Sequence, residues 1–327
     1  MTPLKSEIPY ISICLSTDKP VKKTPYQIKG SIMRKYPKSD IVPMLNGKYR
    51  NKFLYPRVQV KILNEKIFFV GICEGVHPIK SLITDIKNLD LGDITFEITD
   101  TEINEDGLFR QTDKIMEYKF ITPWVALNRA SGKKYNKIKK SERNNFLNHL
   151  LGKNIIFLSN ELGIELKENI LSKVLLSSQS PLKIHENQWQ AFEGKFQTNF
   201  ILPEFIGLGN GITRGFGSFK STKLIFDQKS MDKDFEVLNF ENPIIKKTQK
   251  RKNSQPRKSK KILSEEFDIE EPGNEKNYNT LQNNFSNVNK IGKKKKSRKK
   301  QNTKSKSFSN EKNYNSEEYH KKQHSIK

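Results

Sequence analysis

Residues 203–220 concentrate the groups of this chain that could handle a phosphate. Gly207, Gly209, Gly211, Gly215 and Gly217 enclose Arg214 and Phe216, and Lys220 and Lys223 follow. Glycine loses more conformational freedom on folding than any other residue, so five of them within eleven positions need a reason. One reason is a backbone at positive φ or in close approach to another backbone. Successive N–H groups of such a loop can also form a concave anion site, and with Arg214 inside it the natural anion is phosphate. Two common phosphate loops are excluded. No glycine of the run precedes a lysine, as a P-loop requires. A Gly-x-Gly-x-x-Gly count from Gly207, Gly209 or Gly215 ends on Ile212, Arg214 or Lys220, which rules out the dinucleotide fingerprint. The plain alternative is a tight turn against a close-packed strand.

The charge of the chain favours a polyanion. Net charge is +24 and the pI about 9.7. Residues 1–240 hold 36 basic and 26 acidic side chains, and residues 241–327 hold 24 and 10, so the basicity is not confined to the end of the chain. Nucleic acid fits better than membrane: there is no 18-residue apolar run and no basic helix with a strong Trp/Leu face. The first residues lack the apolar core of a signal peptide, which points to the cytosol. Cys14 and Cys73 lie in apolar runs and read as buried thiols rather than a disulfide or metal pair, and no metal or cofactor is expected. Residues 241–327 alternate lysine runs with Asn/Ser-rich text and have few apolar side chains. They are expected to be disordered, serving as a non-specific nucleic-acid tether or as a solvated tail only.

The elements that must position the loop follow from periodicity. Residues 9–15 alternate as a strand. Thr24 caps a helix with Pro25 in its first turn, ending at Pro37. Residues 38–52 form a polar, basic loop. A strand over 53–63 turns at 64–66 into a second over 67–72. A helix opens at Pro78 with Ile79, Leu82, Ile83 and Ile86 on one stripe, and 93–98 alternates again. The order β-α-β-β-α-β is the ferredoxin-like split motif. A second round has a strand over 114–121, a short helix opening at 122–124, and a long helix over 141–162. Ser141 caps that helix, and Phe146, Leu150, Ile155, Ile156, Leu158 and Leu162 form its apolar face. Strands over 169–176 and 188–200, the glycine loop, and a strand over 216–226 follow. The expected class is α+β: two tandem ferredoxin-like domains, 1–111 and 112–240, then the tail.

Several segments resemble one family, the CRISPR-associated endoribonucleases that cut the precursor guide transcript within each repeat (RAMP superfamily, b-type subfamily). They are the stretches 55–61, 70–75 and 117–128 with its Trp-x-Ala-Leu-Asn, then 191–196, 206–209, and the Arg-Gly-Phe-Gly of Arg214 to Gly217. The resemblance spans about residues 8–220 and excludes the tail. It implies two ferredoxin-like domains forming a cleft, with the glycine loop (Gly207, Gly209, Gly211, Arg214, Gly215, Phe216, Gly217) on the RNA backbone. It also implies metal-independent attack of a 2′-OH on the adjacent phosphate, leaving a 2′,3′-cyclic phosphate and a 5′-OH. The partner would be CRISPR repeat RNA, and subunits of an interference complex would receive the product.

One departure stands out. The family usually supplies histidines from the loop after the first helix, and the matching residues 40–49 contain none. Histidine alone titrates near neutral pH unperturbed. Lys35 and Tyr49 fall on active-site positions of the family, with Lys48, Arg50 and Lys52 beside them, and these could carry the chemistry and hold the RNA. A lysine base would need its pKa lowered by burial or cationic neighbours. Alternatively a distant histidine (His77, read as a helix cap, or His149, His185, His320 or His324) supplies the proton. A third option is that the protein binds repeat RNA without cutting. A general nucleic-acid or DNA-repair factor is the remaining alternative, since this fold hosts many functions.

Overall fold

A computed structural model describes residues 8–184, 189–228 and 234–239. The expected disorder of 241–327 lies outside the described residues, as do His185, His320 and His324.

The first plait runs β1 (Tyr10–Thr17), α1 (Pro25–Lys35), α2 (Val42–Leu45), β2 (Val58–Leu63), β3 (Lys66–Ile72), α3 (Val76–Asp85), β4 (Asn88–Asp90) and β5 (Thr95–Asn104). Its strands lie in the order β2-β3-β1-β5-β4. Apart from the short edge strand β4, this is the split βαββαβ arrangement read from the sequence. Thr24 caps α1 through a reciprocal pair with Gln27, and Pro25 occupies its first turn. The helix α3 starts at Val76, two residues before Pro78, so His77 lies in its first turn and Gly75 is the cap. One sheet face and the helices enclose Ile13, Ile28, Ile32, Val60, Phe69 and Ile79, all fully buried. The expected strand over 53–63 begins only at Val58. Residues 53–57 instead approach the second plait.

The second plait comprises β6 (Arg110–Phe120), β7 (Trp124–Leu127), α4 (Arg129–Lys137), α5 (Arg143–Glu161), β8 (Ile170–Leu176), β9 (Leu182–Ile184), β10 (Trp189–Phe192), β11 (Gly194–Ile201), β12 (Phe219–Asp227) and β13 (Glu236–Leu238). The main sheet is ordered β12-β6-β11-β8-β13, and β7-β10-β9 form a small second sheet. Three expectations are corrected. Residues 122–127 are not a helix: β7 is buried throughout, and Trp124 stacks on Phe120 at 5.5 Å. The helix comes later, capped by Asn128, whose Oδ1 accepts from the amides of Ala130 and Ser131. Residues 188–200 are two strands in different sheets. Gly194 opens the second of them at φ +148°, where a Cβ would stand 2.3 Å from the Leu175 carbonyl oxygen. The long helix begins at Arg143 without a side-chain cap, and Ser141 sits in the preceding 3-10 turn. Its buried side is Leu147, Leu151, Ile155 and Leu158; Phe146 and Leu150 are only half-buried.

The connection between β11 and β12 differs most from the first plait. Where α3 joins the third and fourth plait strands of the first unit, residues 202–218 contain one 3-10 turn, Ile212–Arg214. This is the glycine loop. No helix of the described residues is long and apolar enough to cross a membrane.

Candidate nucleic-acid interface

Strand β2 is buried at all six positions. Val58, Val60 and Ile62 belong to the first plait's own core, so by alternation Gln59 and Lys61 face the other way, toward the second plait. The chain before and through the glycine loop covers that face. Phe68 meets Phe205 at 5.0 Å between centroids, and the Tyr10 hydroxyl donates to the Glu204 carbonyl at 2.6 Å. Tyr10, Tyr55, Val70 and Ile72 join one apolar cluster with Tyr118, Phe120 and Phe196 of the second plait.

A closed circuit of hydrogen bonds locks the loop down. The Tyr55 hydroxyl donates to the Gly207 carbonyl (2.8 Å), the Gln59 amide donates to the Tyr55 hydroxyl (3.2 Å), and the Gly207 N–H donates to Gln59 Oε1 (2.9 Å). Burial pushes the Tyr55 phenol well above its ordinary range. Nearby, Lys29 Nζ donates to the Thr213 carbonyl at 2.7 Å. On the opposite side Arg57 donates to the Glu161 carbonyl at 2.7 Å and pairs with Glu74 at 3.0 Å, while Glu161 accepts from the amides of Leu54 and Tyr55.

The loop's glycines have a packing explanation. Gly209, Gly211, Gly215 and Gly217 all have positive φ. A Cβ on Gly217 would stand 1.9 Å from the Leu208 carbonyl oxygen, and one on Gly209 would meet Val125 and Trp124 under 3 Å. The loop's amides are largely taken. Those of Leu208, Asn210, Phe216 and Gly217 donate to the carbonyls of Gly217, Val125, Gly211 and Pro123. Gly207, Gly215, Phe216 and Gly217 are buried, so what the loop offers outward is half-buried: Gly209, Gly211 and Arg214. The Arg214 guanidinium lies over the Trp189 ring at 5.0 Å and the Tyr26 ring at 5.8 Å, a flat cation on aromatic supports.

The remaining sequence-derived residues lie on the first plait. Lys35 ends α1 and donates to the carbonyl and side-chain oxygens of Asn88. Tyr49, half-buried, packs edge-to-face on Phe53 at 6.1 Å, with Lys52 Nζ 5.6 Å from its ring. Lys48 and Lys52 are exposed and Arg50 half-buried. Among the described residues no hydrogen bond, ion pair or ring contact joins Lys35 to Tyr49. His149 pairs with Glu236 at 3.2 Å on α5. Cys14 and Cys73 are both free, and no group of three or more His, Cys, Asp or Glu among the described residues forms a metal cluster.

Sequence reasoning missed Lys61. It is fully buried, and its ammonium nitrogen has no hydrogen-bond partner among the described residues. Desolvation pushes its pKa down to about 7. The signal was present: an alternating polar Gln59-x-Lys61 opposite Val58 and Val60 marks a strand whose second face must meet something other than a helix layer.

Comparison with known proteins agrees with this architecture. Residues 6–108 match the Cas6b N-terminal domain and residues 110–222 the Cas6b C-terminal domain. A crystal structure of Cas6b is similar at 28% identity, covering 66% of this chain and 100% of that one, with a TM-score of 0.55. A crystal structure of the CRISPR RNA processing endoribonuclease Cas6b matches with the same identity and coverage at a TM-score of 0.50. An uncharacterised protein of Methanocaldococcus jannaschii is 27% identical over 141 residues, 42% of this chain and 94% of that protein. The chain therefore belongs to the Cas6b family, and its two plaits are the tandem ferredoxin-like domains of that family.

Proposed function

We propose that this chain is an endoribonuclease that cuts CRISPR precursor RNA within its repeats, without a metal ion, and passes the products to an interference complex. The observation that carries this reading is the paired match to both Cas6b domains across residues 6–222, together with a similar protein described as a CRISPR RNA processing endoribonuclease. We further propose domain limits of 1–111 and 112–240, with 241–327 as an RNA tether.

The reaction needs three things: a proton acceptor at the 2′-OH, a proton donor at the 5′-oxygen, and cations on the five-coordinate phosphorus. The 2′-oxygen bonds to phosphorus and loses its proton. The bond from phosphorus to the 5′-oxygen breaks and that oxygen gains a proton, leaving a 2′,3′-cyclic phosphate and a 5′-OH. In this reading the Tyr49 phenol carries the proton and Lys35 stabilises the extra phosphorane charge once released from Asn88. Lys48, Arg50 and Lys52 hold the strand, and Arg214 with the outward rim of the glycine loop holds it across the seam.

The test is cleavage of a repeat hairpin in EDTA. A shortened product with a cyclic phosphate end is expected, and Tyr49→Phe and Lys35→Ala each lower the cleavage rate by about tenfold or more with little change in binding. No product after long incubation rejects the enzyme reading. It favours the second one, a repeat-RNA-binding subunit, for which the absence of histidine from residues 40–49 speaks. Equal affinity for repeat RNA and random duplex DNA, with equal salt slopes, points instead to a general nucleic-acid factor.

A further inference from the structure

The second plait carries a separate concentration of positive charge that the seam does not use. Arg129, Lys133, Lys134 and Lys137 of α4, with Lys139 and Lys140 after it, are all exposed. None makes an ion pair or side-chain hydrogen bond among the described residues. Glu142 is the only acid between positions 129 and 143. A second row lies on the main sheet: Lys220 on β12 is directly opposite Lys119 on β6, which is directly opposite Lys195 on β11. Neighbouring strands are about 4.8 Å apart, so three like charges stand side by side over about 10 Å. Like charges directly opposite each other destabilise a sheet. Only Lys195 has a counter-ion here, Glu117 at 3.0 Å. Burial acts to raise the Glu117 carboxyl, but hydrogen bonds from Lys195, Gln197 and Thr222 outweigh it and hold the group ionised below the usual range. Lys119 and Lys220 are exposed and carry no such partner among the described residues.

A cavity of about 810 Å³ adjoins the sheet row. Lys119, Lys173 and Lys195 line it on the sheet side together with Glu193 and Asp234, Lys173 pairing with Asp234 at 3.5 Å, and Ser141, Asn144 and Asn145 line it where Lys139 and Lys140 lead into α5. Asn144 is partly used, accepting from Gln179 at 3.1 Å, whereas Asn145 is exposed and makes no side-chain hydrogen bond among the described residues. Leu175 and Leu176 supply an apolar wall. Open amides beside an apolar wall suit the edge and face of a nucleobase, and flanking ammonium groups suit its phosphates. A paired base is stacked inside a helix and presents neither its Watson–Crick edge nor its face, so the fitting ligand is single-stranded.

We propose that this cavity receives an unpaired nucleotide of the RNA strand flanking the repeat stem, with Lys119, Lys195 and the α4 cations holding the adjoining phosphates. The proposal rests on the RNA-processing reading but concerns a surface that reading does not need. The test compares, with the full chain, two fluorescent RNAs: a repeat hairpin with a short unpaired flank and the same hairpin trimmed flush. Wild type is expected to bind the flanked RNA about tenfold more tightly. Lys119→Ala with Asn145→Ala removes that gain. A separate variant, Lys133→Glu with Lys134→Glu and Lys137→Glu, touches only exposed side chains and so leaves the fold intact. It lowers the salt slope for the flanked RNA by about two units, and that for the flush hairpin far less. Wild type that binds both RNAs equally, or variants that keep the full gain, overturn the proposal while leaving hairpin processing standing. Wild type that binds neither RNA overturns both. A blunt RNA duplex competing as well as the flanked hairpin overturns the single-strand assignment.

Discussion

The two plaits share the order of their four plait strands and differ most in one connection. In the first, α3 joins the third strand to the fourth and covers one sheet face. In the second, the corresponding connection is the glycine loop with a single 3-10 turn. A helix is about 10 Å across. A glycine-rich segment is a single backbone thick, and this one lies flat on the open face of the first sheet, where Gly207 closes its circuit with Tyr55 and Gln59. Gly207 and Gly215 adjoin the first plait, at Tyr55, Gln59 and Pro25, whereas Gly209, Gly211 and Gly217 let the loop fold tightly on itself and on the second plait. Their missing Cβ atoms are contact distances, and any phosphate binding is built on the rim they leave exposed.

Gly217→Ala tests this difference most severely. It forces a side chain at φ +69° into the Leu208 carbonyl and should cost more than about 4 kcal/mol, read as a lower urea midpoint or insoluble protein. Gly163→Ala, at the end of α5 with open space around it and φ +67°, should cost only ~1 kcal/mol. Equal effects would remove the packing argument.

Lys61→Met tests the covered face from the opposite direction and is expected to stabilise. The folded-state pKa of Lys61 is about 7, against an ordinary 10.5. The unfolded chain therefore binds the extra proton between those values, and stability rises with pH across that window. At pH 6 the folded chain must bury a charge, so the methionine variant gains a few kcal/mol, at about 1.4 kcal/mol per tenfold change in proton affinity. The gain shrinks as pH rises toward 10.5. A pH-independent difference in denaturation midpoint would contradict it.

Tyr55→Phe leaves the Gly207 carbonyl without its donor in a buried seam and should cost ~2 kcal/mol by chemical denaturation. The smallest effect is on binding: Arg214→Ala keeps the fold and lowers the salt slope of RNA binding by about one unit, because one phosphate contact is lost. An unchanged slope would place the strand away from Trp189 and Tyr26.

Much of the first plait was legible because its helices and strands are amphipathic on their own. Thr24 and Pro25 announce α1, and alternation announces β1 and β3. The second plait was harder to read. Trp124 to Leu127 is apolar throughout and buried on every side, so its period says nothing about helix or strand. Asn128 rather than Thr122 holds the cap. The break at Gly194 depends on the Leu175 carbonyl, which is far away in sequence.

The α+β class, the tandem split motif, the surplus of cations and the special status of residues 207–217 are written in the chain. These depend on local period, composition and glycine content. Only the assembled fold makes the glycines face protein, leaves Lys61 a buried ammonium with no partner among the described residues, and sets Lys220, Lys119 and Lys195 in one row. Each of these depends on which strand lies beside which, and strand neighbours are set by long-range packing of both sheet faces rather than by any nearby residue.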